Sequence, residues 1–129
     1  MSNLKFILLI SLLLGITSFV LWSPSPPKAK QLRHVVAFRF KPDVTLEQMQ
    51  QATRDFRALP RKVPQILAFE GGPDVSLQQK SGKFTHCFMV TVKDQQALAQ
   101  YGEHPDHKAF SRSVDPLLAE VMVVDYWTG

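Results

Sequence analysis

The side chains best suited to proton chemistry are the four histidines, His34, His86, His104 and His107, together with Tyr101. An imidazole takes or gives a proton near neutral pH, and a phenol hydroxyl donates a hydrogen bond to an oxygen on which charge is developing. Three of these groups crowd into the short run Tyr101-Gly-Glu-His-Pro-Asp-His107. The H-x-x-H spacing of His104 and His107 is one that binds metal, but only Glu103 and Asp106 stand nearby to complete a ligand set. No metal site and no cofactor are therefore expected. His104 precedes Pro105 and is placed to satisfy the open amides of a helix N-terminus or the turn backbone. Cys87, the one cysteine, excludes an intramolecular disulfide framework and a cysteine zinc site, and is expected to be an inert, buried strand residue.

The elements that must carry these groups emerge from hydrophobic period. Arg33 to Phe40 alternates, with His34, Val36, Phe38 and Phe40 facing one way and Arg33, Val35, Ala37 and Arg39 the other, which is a strand ended by Pro42. Apolar residues at Leu46, Met49, Ala52, Phe56 and Leu59 step by three and four, predicting a helix capped by Asp43 or Thr45 and stopped by Pro60. Ile66 to Glu70 reads as a short second strand closed by a turn at Gly71-Gly-Pro-Asp74. A phosphate loop would have to lead into a helix there, whereas residues 75–82 form a polar connection.

Phe84 to Val92 is a third strand, with Phe84, His86, Phe88, Val90 and Val92 on one face. Asp94 caps a short helix through Tyr101. Pro105 then opens a longer helix with His107, Phe110, Val114, Leu117, Leu118 and Val121 on one side and a kink at Pro116, and Val121 to Trp127 forms the last strand.

The order βαββαβ is the ferredoxin-like α+β arrangement, a four-stranded antiparallel sheet with helices on one face. Its other face would carry Val35, Ala37, Cys87, Met89, Met122, Val124 and Tyr126, too apolar to stay wet. About a hundred residues bury only roughly 65% of their unfolded surface alone, so a second copy is expected to cover that face.

The chain has 129 residues, 45% of them hydrophobic and 20% charged, which suits one domain with a short appendage. Its 15 basic and 11 acidic residues give a formal charge of +4, but Lys5, Lys28 and Lys30 lie in an N-terminal stretch without acids. The remainder is nearly balanced and lacks the clustered positive stripe that nucleic-acid binding requires, so that class is excluded. Lys5 and the uncharged run Phe6 to Trp22 behind it read as a signal peptide or N-terminal signal anchor over residues 1–22. Ser23-Pro-Ser-Pro-Pro27 begins a Pro/Ser/Lys linker over 23–31, ahead of a domain at 32–129. Either reading of the leading segment places the domain outside the cytoplasm, anchored by residues 6–22 or released after cleavage.

His34-Val-Val-Ala-Phe-Arg-Phe-Lys41, Phe84-Thr-His-Cys-Phe-Met-Val-Thr91, His104-Pro-Asp-His107 and Val123-Val-Asp-Tyr126 together resemble the stress-responsive dimeric A/B barrel family, over about Leu32 to Trp127. The resemblance implies a ferredoxin-like protomer whose sheet pairs face to face with a second copy in a dimeric α/β barrel. Within that family the plant polyketide cyclase that makes olivetolic acid has an active-site tyrosine and histidine matching Tyr101 and His107, and two pocket histidines matching His34 and His86. The resemblance thus implies His107 as base and Tyr101 as oxyanion partner in an aldol cyclisation or related carbonyl chemistry. Helix placement agrees, because His107 falls in a first helical turn, where the dipole disfavours imidazolium.

On this reading His34 and His86, with Phe38, Phe88 and Phe110, border one ligand pocket with the pair. Two functions are therefore expected, in order. The first is an exported or membrane-anchored homodimer that binds a small apolar ligand, with membrane contact through the leading segment if it is uncleaved. The second is a small acid/base enzyme of the cyclase type. Cytoplasmic thioester substrates and the small and charged Gly102-Glu103 pair set the cyclase second.

Overall fold

A computed structural model describes residues 28–129. The expected leader at residues 1–22 and the first five linker residues lie outside the described residues. Among the described residues no helix is long and apolar enough to cross a membrane.

Strand β1, Leu32–Phe40, leads to helix α1, Leu46–Ala58, and then to strands β2, Ala68–Pro73, and β3, His86–Val92. Helices α2, Gln95–Glu103, and α3, Pro105–Val114, precede strand β4, Leu118–Trp127. The strands form one antiparallel sheet in the order β2-β3-β1-β4, the ferredoxin-like arrangement with its second helical region split in two.

Local chemistry sets most boundaries. Thr45 caps α1 in a reciprocal box with Gln48, satisfying two otherwise open amides, and Pro60 turns the helix end into a 3₁₀ turn over Leu59–Arg61. Asp94 accepts from the amide of Ala97 at the start of α2 at 2.9 Å.

Strands β2 and β3 each begin two residues later than expected, and two larger expectations are corrected. The run Gly71-Gly72-Pro73 is strand, not turn, and pairs with Phe88, Cys87 and His86. Gly71 has φ +134°, and a Cβ there would lie 2.3 Å from the Cys87 carbonyl oxygen and 2.5 Å from Cα of Phe88, so the close approach of β2 to β3 needs glycine. Pro73 is tolerated because β2 is an edge strand, where a missing amide costs no ladder bond. The turn comes later, where Asp74 accepts from the Ser76 amide at 2.8 Å and from the Ser81 hydroxyl. The second correction concerns Pro116, which ends α3 instead of kinking it. Asp115–Leu117 is a 3₁₀ turn, the Leu117 carbonyl accepts from the Lys41 amide at 2.9 Å, and β4 starts three residues before Val121.

The helices cover one sheet face. Phe56 of α1 is the hub, its ring 5.0 Å from those of Phe69 and Phe88 and 4.7 Å from Phe110. Phe88, Val90 and Val92 are fully buried beneath it, each such side chain contributing about 1.5–3 kcal/mol by leaving water. Among the described residues nothing covers the opposite face: Met122, Val124 and Tyr126 are 41%, 46% and 48% exposed. Cys87 shares that face and is exposed there, not buried within its own chain as expected, because strand alternation turns it away from the helices. Charged pairs rim this face, Glu120 meeting Arg39 and Lys83, while the Tyr126 hydroxyl donates to the Met89 sulfur at 3.7 Å.

Candidate functional site

The junction between α2 and α3 builds the site. His104 ends one helix and caps the next: its extended backbone breaks the helical path, its amide donates to the Tyr101 carbonyl at 3.2 Å, and its Nδ1 accepts from the Asp106 amide at 3.2 Å. With Pro105 in the first helical position, this cap satisfies an amide of α3 and orients the first turn of that helix. His104 thus has the backbone role its position suggested.

That turn lays His107 against Tyr101, ring centroids 4.2 Å apart. The Nδ1–H of His107 donates to the Gly102 carbonyl at 3.1 Å, so Nε2 is left as the ring's free acceptor. Burial is the main cause that holds the His107 pKa below its ordinary value; the Gly102 carbonyl and the Asp115 carboxylate oppose it, and His34 and His104 reinforce it. Tyr101 is almost fully buried, and burial raises its phenol pKa, so the hydroxyl keeps its proton.

His34 approaches Tyr101 from β1, edge to face at 5.9 Å. Its Nδ1–H donates to the Asp125 carboxylate at 2.7 Å, the two residues standing opposite each other in the β1–β4 register. An imidazole whose Nδ1 is held by a carboxylate has its tautomer and ring direction set, with Nε2 free.

These three side chains border a cavity of about 220 Å³ between the sheet and α3. Val36, Phe38, Phe56, Phe110 and Val114 supply apolar walls, Val121 and Val123 of edge strand β4 line the open side, and Ser111 and Asp115 add polar groups. Both valines are half exposed, so the mouth lies along that strand. The arrangement can seat a small apolar molecule and offer it one phenol donor and two imidazole nitrogens.

Two residues expected in this pocket stand elsewhere. Phe88 is fully buried among Phe38, Phe56 and Phe69, one layer behind the cavity wall. His86 stacks on Phe38 at 5.4 Å with the rings nearly parallel, and its Nδ1 is 2.9 Å from the Thr85 hydroxyl. The two residues are directly opposed in the β1–β3 register, so the Phe38 ring separates His86 from the cavity. His86 borders two shallower grooves instead, one beside Gly72, Cys87 and Met122 and one beside Met49 and Arg57. The four groups therefore do not share one cavity.

Asp125 and Asp115 are site residues that the local sequence does not point to. An acid inside the apolar run Val121 to Tyr126 is a usable signal for Asp125, but its partner requires the β1–β4 register. Asp115 reads only as the residue before a proline, and the fold alone brings it to the cavity.

The family model for the stress-responsive A/B barrel domain matches residues 32–128. The chain is 30% identical over 95 residues to the stress-response A/B barrel domain-containing protein HS1 of Arabidopsis thaliana, covering 74% of this chain and 87% of that one. Among solved structures it resembles a dimeric ferredoxin-like protein of unknown function from Thermobifida fusca, at TM-score 0.67 and 25% identity, covering 77% and 92% of the two chains. It also resembles a hydroxynitrile lyase from Passiflora edulis, at TM-score 0.74 over 79% and 96% of the chains. The identity there is 20%, and that likeness concerns the fold alone.

Proposed function

The chain belongs to the stress-responsive A/B barrel domain family, and from that membership we propose that it acts as a homodimer binding a small apolar ligand between α3 and the sheet. The observation that carries the ligand reading is the cavity of about 220 Å³, with aromatic and branched walls and with His34, Tyr101 and His107 gathered on it. Apolar pockets with a few convergent polar groups are the usual form of small-molecule sites. Three observations support the homodimer: the bare face around Met122, Val124 and Tyr126, the contiguous apolar character of that face, and solved relatives described as dimeric.

Ligand-detected and amide-detected NMR titration with a panel of small aromatic alcohols and ketones tests the ligand reading. Saturable shifts at His34, Tyr101 and His107 support it, and shifts confined to the bare face refute it. Sedimentation at micromolar concentration tests the dimer, and a single protomer mass there refutes it.

A second reading is favoured by one feature of the site. His107 has a burial-lowered pKa, its Nδ1 is occupied by the Gly102 carbonyl, and it touches a phenol that keeps its proton. This is a base beside an oxyanion donor, suited to removing a proton next to a carbonyl, as in an aldol closure of polyketide cyclase type. Exchange of the methyl protons of acetophenone in deuterated water, faster with the parent than with His107→Gln, is the expected result. Equal rates remove the reading.

Export through residues 1–22 stays part of the proposal, on the strength of the uncharged run Phe6 to Trp22. Fractionation and N-terminal sequencing of protein from its native host decide whether that segment is an anchor or is cleaved.

A further inference from the structure

We propose that the cavity selects uncharged ligands, taking a small ring-bearing molecule with one neutral hydrogen-bonding oxygen and rejecting the carboxylate of the same shape. This rests on the ligand-binding reading above and names its substrate class.

Size comes first. At about 220 Å³ the cavity is smaller than the roughly 300–1,000 Å³ of drug-sized sites, so it holds a single ring with a short substituent. The walls suit such a ring: Phe38, Phe56 and Phe110 offer edges and faces, and Val36, Val114 and Leu118 fill between them. The polar groups then set what the substituent can be. Tyr101 is a donor that keeps its proton, and Nε2 of His107 is an acceptor, because its Nδ1–H is taken by Gly102. A hydroxyl meets both needs without charge, accepting from Tyr101 and donating to Nε2 of His107, and a carbonyl oxygen meets the first.

Charge is arranged against an anion. No lysine or arginine is among the described residues lining the cavity, while the Asp115 carboxylate is, and the Asp125 carboxylate stands behind His34. A bound carboxylate would lose its hydration, find no full positive partner and face Asp115. An ammonium would meet Asp115 only at the exposed rim, and the same burial that disfavours the imidazolium of His107 disfavours a second cation deeper in the cavity.

Three probes of similar size test this on the full chain: benzyl alcohol, benzoate and benzylammonium, titrated near pH 7.5 at low salt and monitored by amide shifts around Tyr101 and His107. Benzyl alcohol is expected to bind about tenfold or more tighter than either ion. Asp115→Asn should narrow the gap between benzoate and benzyl alcohol several-fold. Asp115 is exposed and its side chain caps no helix, so the variant is expected to fold; the parent comparison stands without it. Benzoate or benzylammonium binding as tightly as the alcohol overturns the proposal, as does an Asp115→Asn variant with an unchanged benzoate-to-alcohol ratio. If no probe moves those amides, the ligand-binding reading itself fails and takes this inference with it, an outcome distinct from loss of selectivity.

Discussion

The two faces of the sheet are made by the same strands and end in opposite states. On the helix side Phe38 and Phe88 are buried and their rings lie 5.8 Å apart beneath Phe56. On the other side Val124 and Tyr126 of β4 stand about half exposed. Both faces are apolar, so hydrophobicity does not separate them. Connection does: the two crossovers of the βαββαβ order lay their helices on one face and leave the second without a helix of its own. One face is an intramolecular core and the other an unfinished one.

The sharpest way to break the comparison is to cut a large side chain from the finished face. Phe88→Ala should cost about 3–5 kcal/mol of folding stability, because it removes a ring from the centre of a packed layer. Urea unfolding reads this directly, and a loss below about 1 kcal/mol would mean that the layer is not the core. On the unfinished face Val124→Arg should leave the protomer folded, with an unchanged far-UV spectrum. It should raise the dimer dissociation constant by about a hundredfold, since the charge enters a symmetric interface twice. Sedimentation measures it, and an intact dimer at nanomolar concentration would place the interface elsewhere.

Gly71→Ala should cost about 2 kcal/mol or more, because the positive φ and the contacts with the Cys87 carbonyl and Phe88 leave a Cβ no room. Gly102→Ala, which meets open space, is the control for helix propensity alone. A similar loss for both would mean that the β2–β3 approach is looser than described.

The smallest expected effect is a pH slope. Burial lowers the pKa of His107 and of His86 below the ordinary value of 6.5, so the unfolded chain binds protons that the folded chain refuses. Their contribution is fully present above about pH 6.5 and is lost as pH falls toward the folded pKa values. The carboxylates of Asp74, Glu103 and Glu120, held below their ordinary values chiefly by hydrogen bonds from Ser81, Lys108 and Lys83, remain ionised in that window. Urea midpoints should therefore fall between about pH 7.5 and 5.5, and His107→Gln should flatten part of the fall. A steeper fall in the variant would contradict the burial argument.

Legibility tracked the range of the interaction. The alternation of β1, the Thr45 and Asp94 caps and the Pro105 helix start are local effects, carried by residues within four positions of one another, and the fold holds them where the local pattern puts them. Gly71-Gly72-Pro73 misleads because a turn and an edge strand share that composition. Only the neighbouring β3 strand, against which a side chain would collide, distinguishes them. The start of β4 differs by three residues from the periodicity because Pro116 permits either a kink or a stop, and the Lys41 bond to Leu117 comes from a distant part of the chain.

By itself the sequence determined the strand alternation of β1 and β3, where helices start and that Tyr101 and His107 lie close along the chain, because each rests on periodicity or on short-range contacts. Only the tertiary structure decided which histidines meet. Register set His34 opposite Asp125 and His86 opposite Phe38. The first pairing leaves an oriented imidazole at a cavity, and the second puts an aromatic ring between the imidazole and that cavity. Strand pairing across tens of residues makes this choice, since the local pattern around either histidine is the same strand alternation.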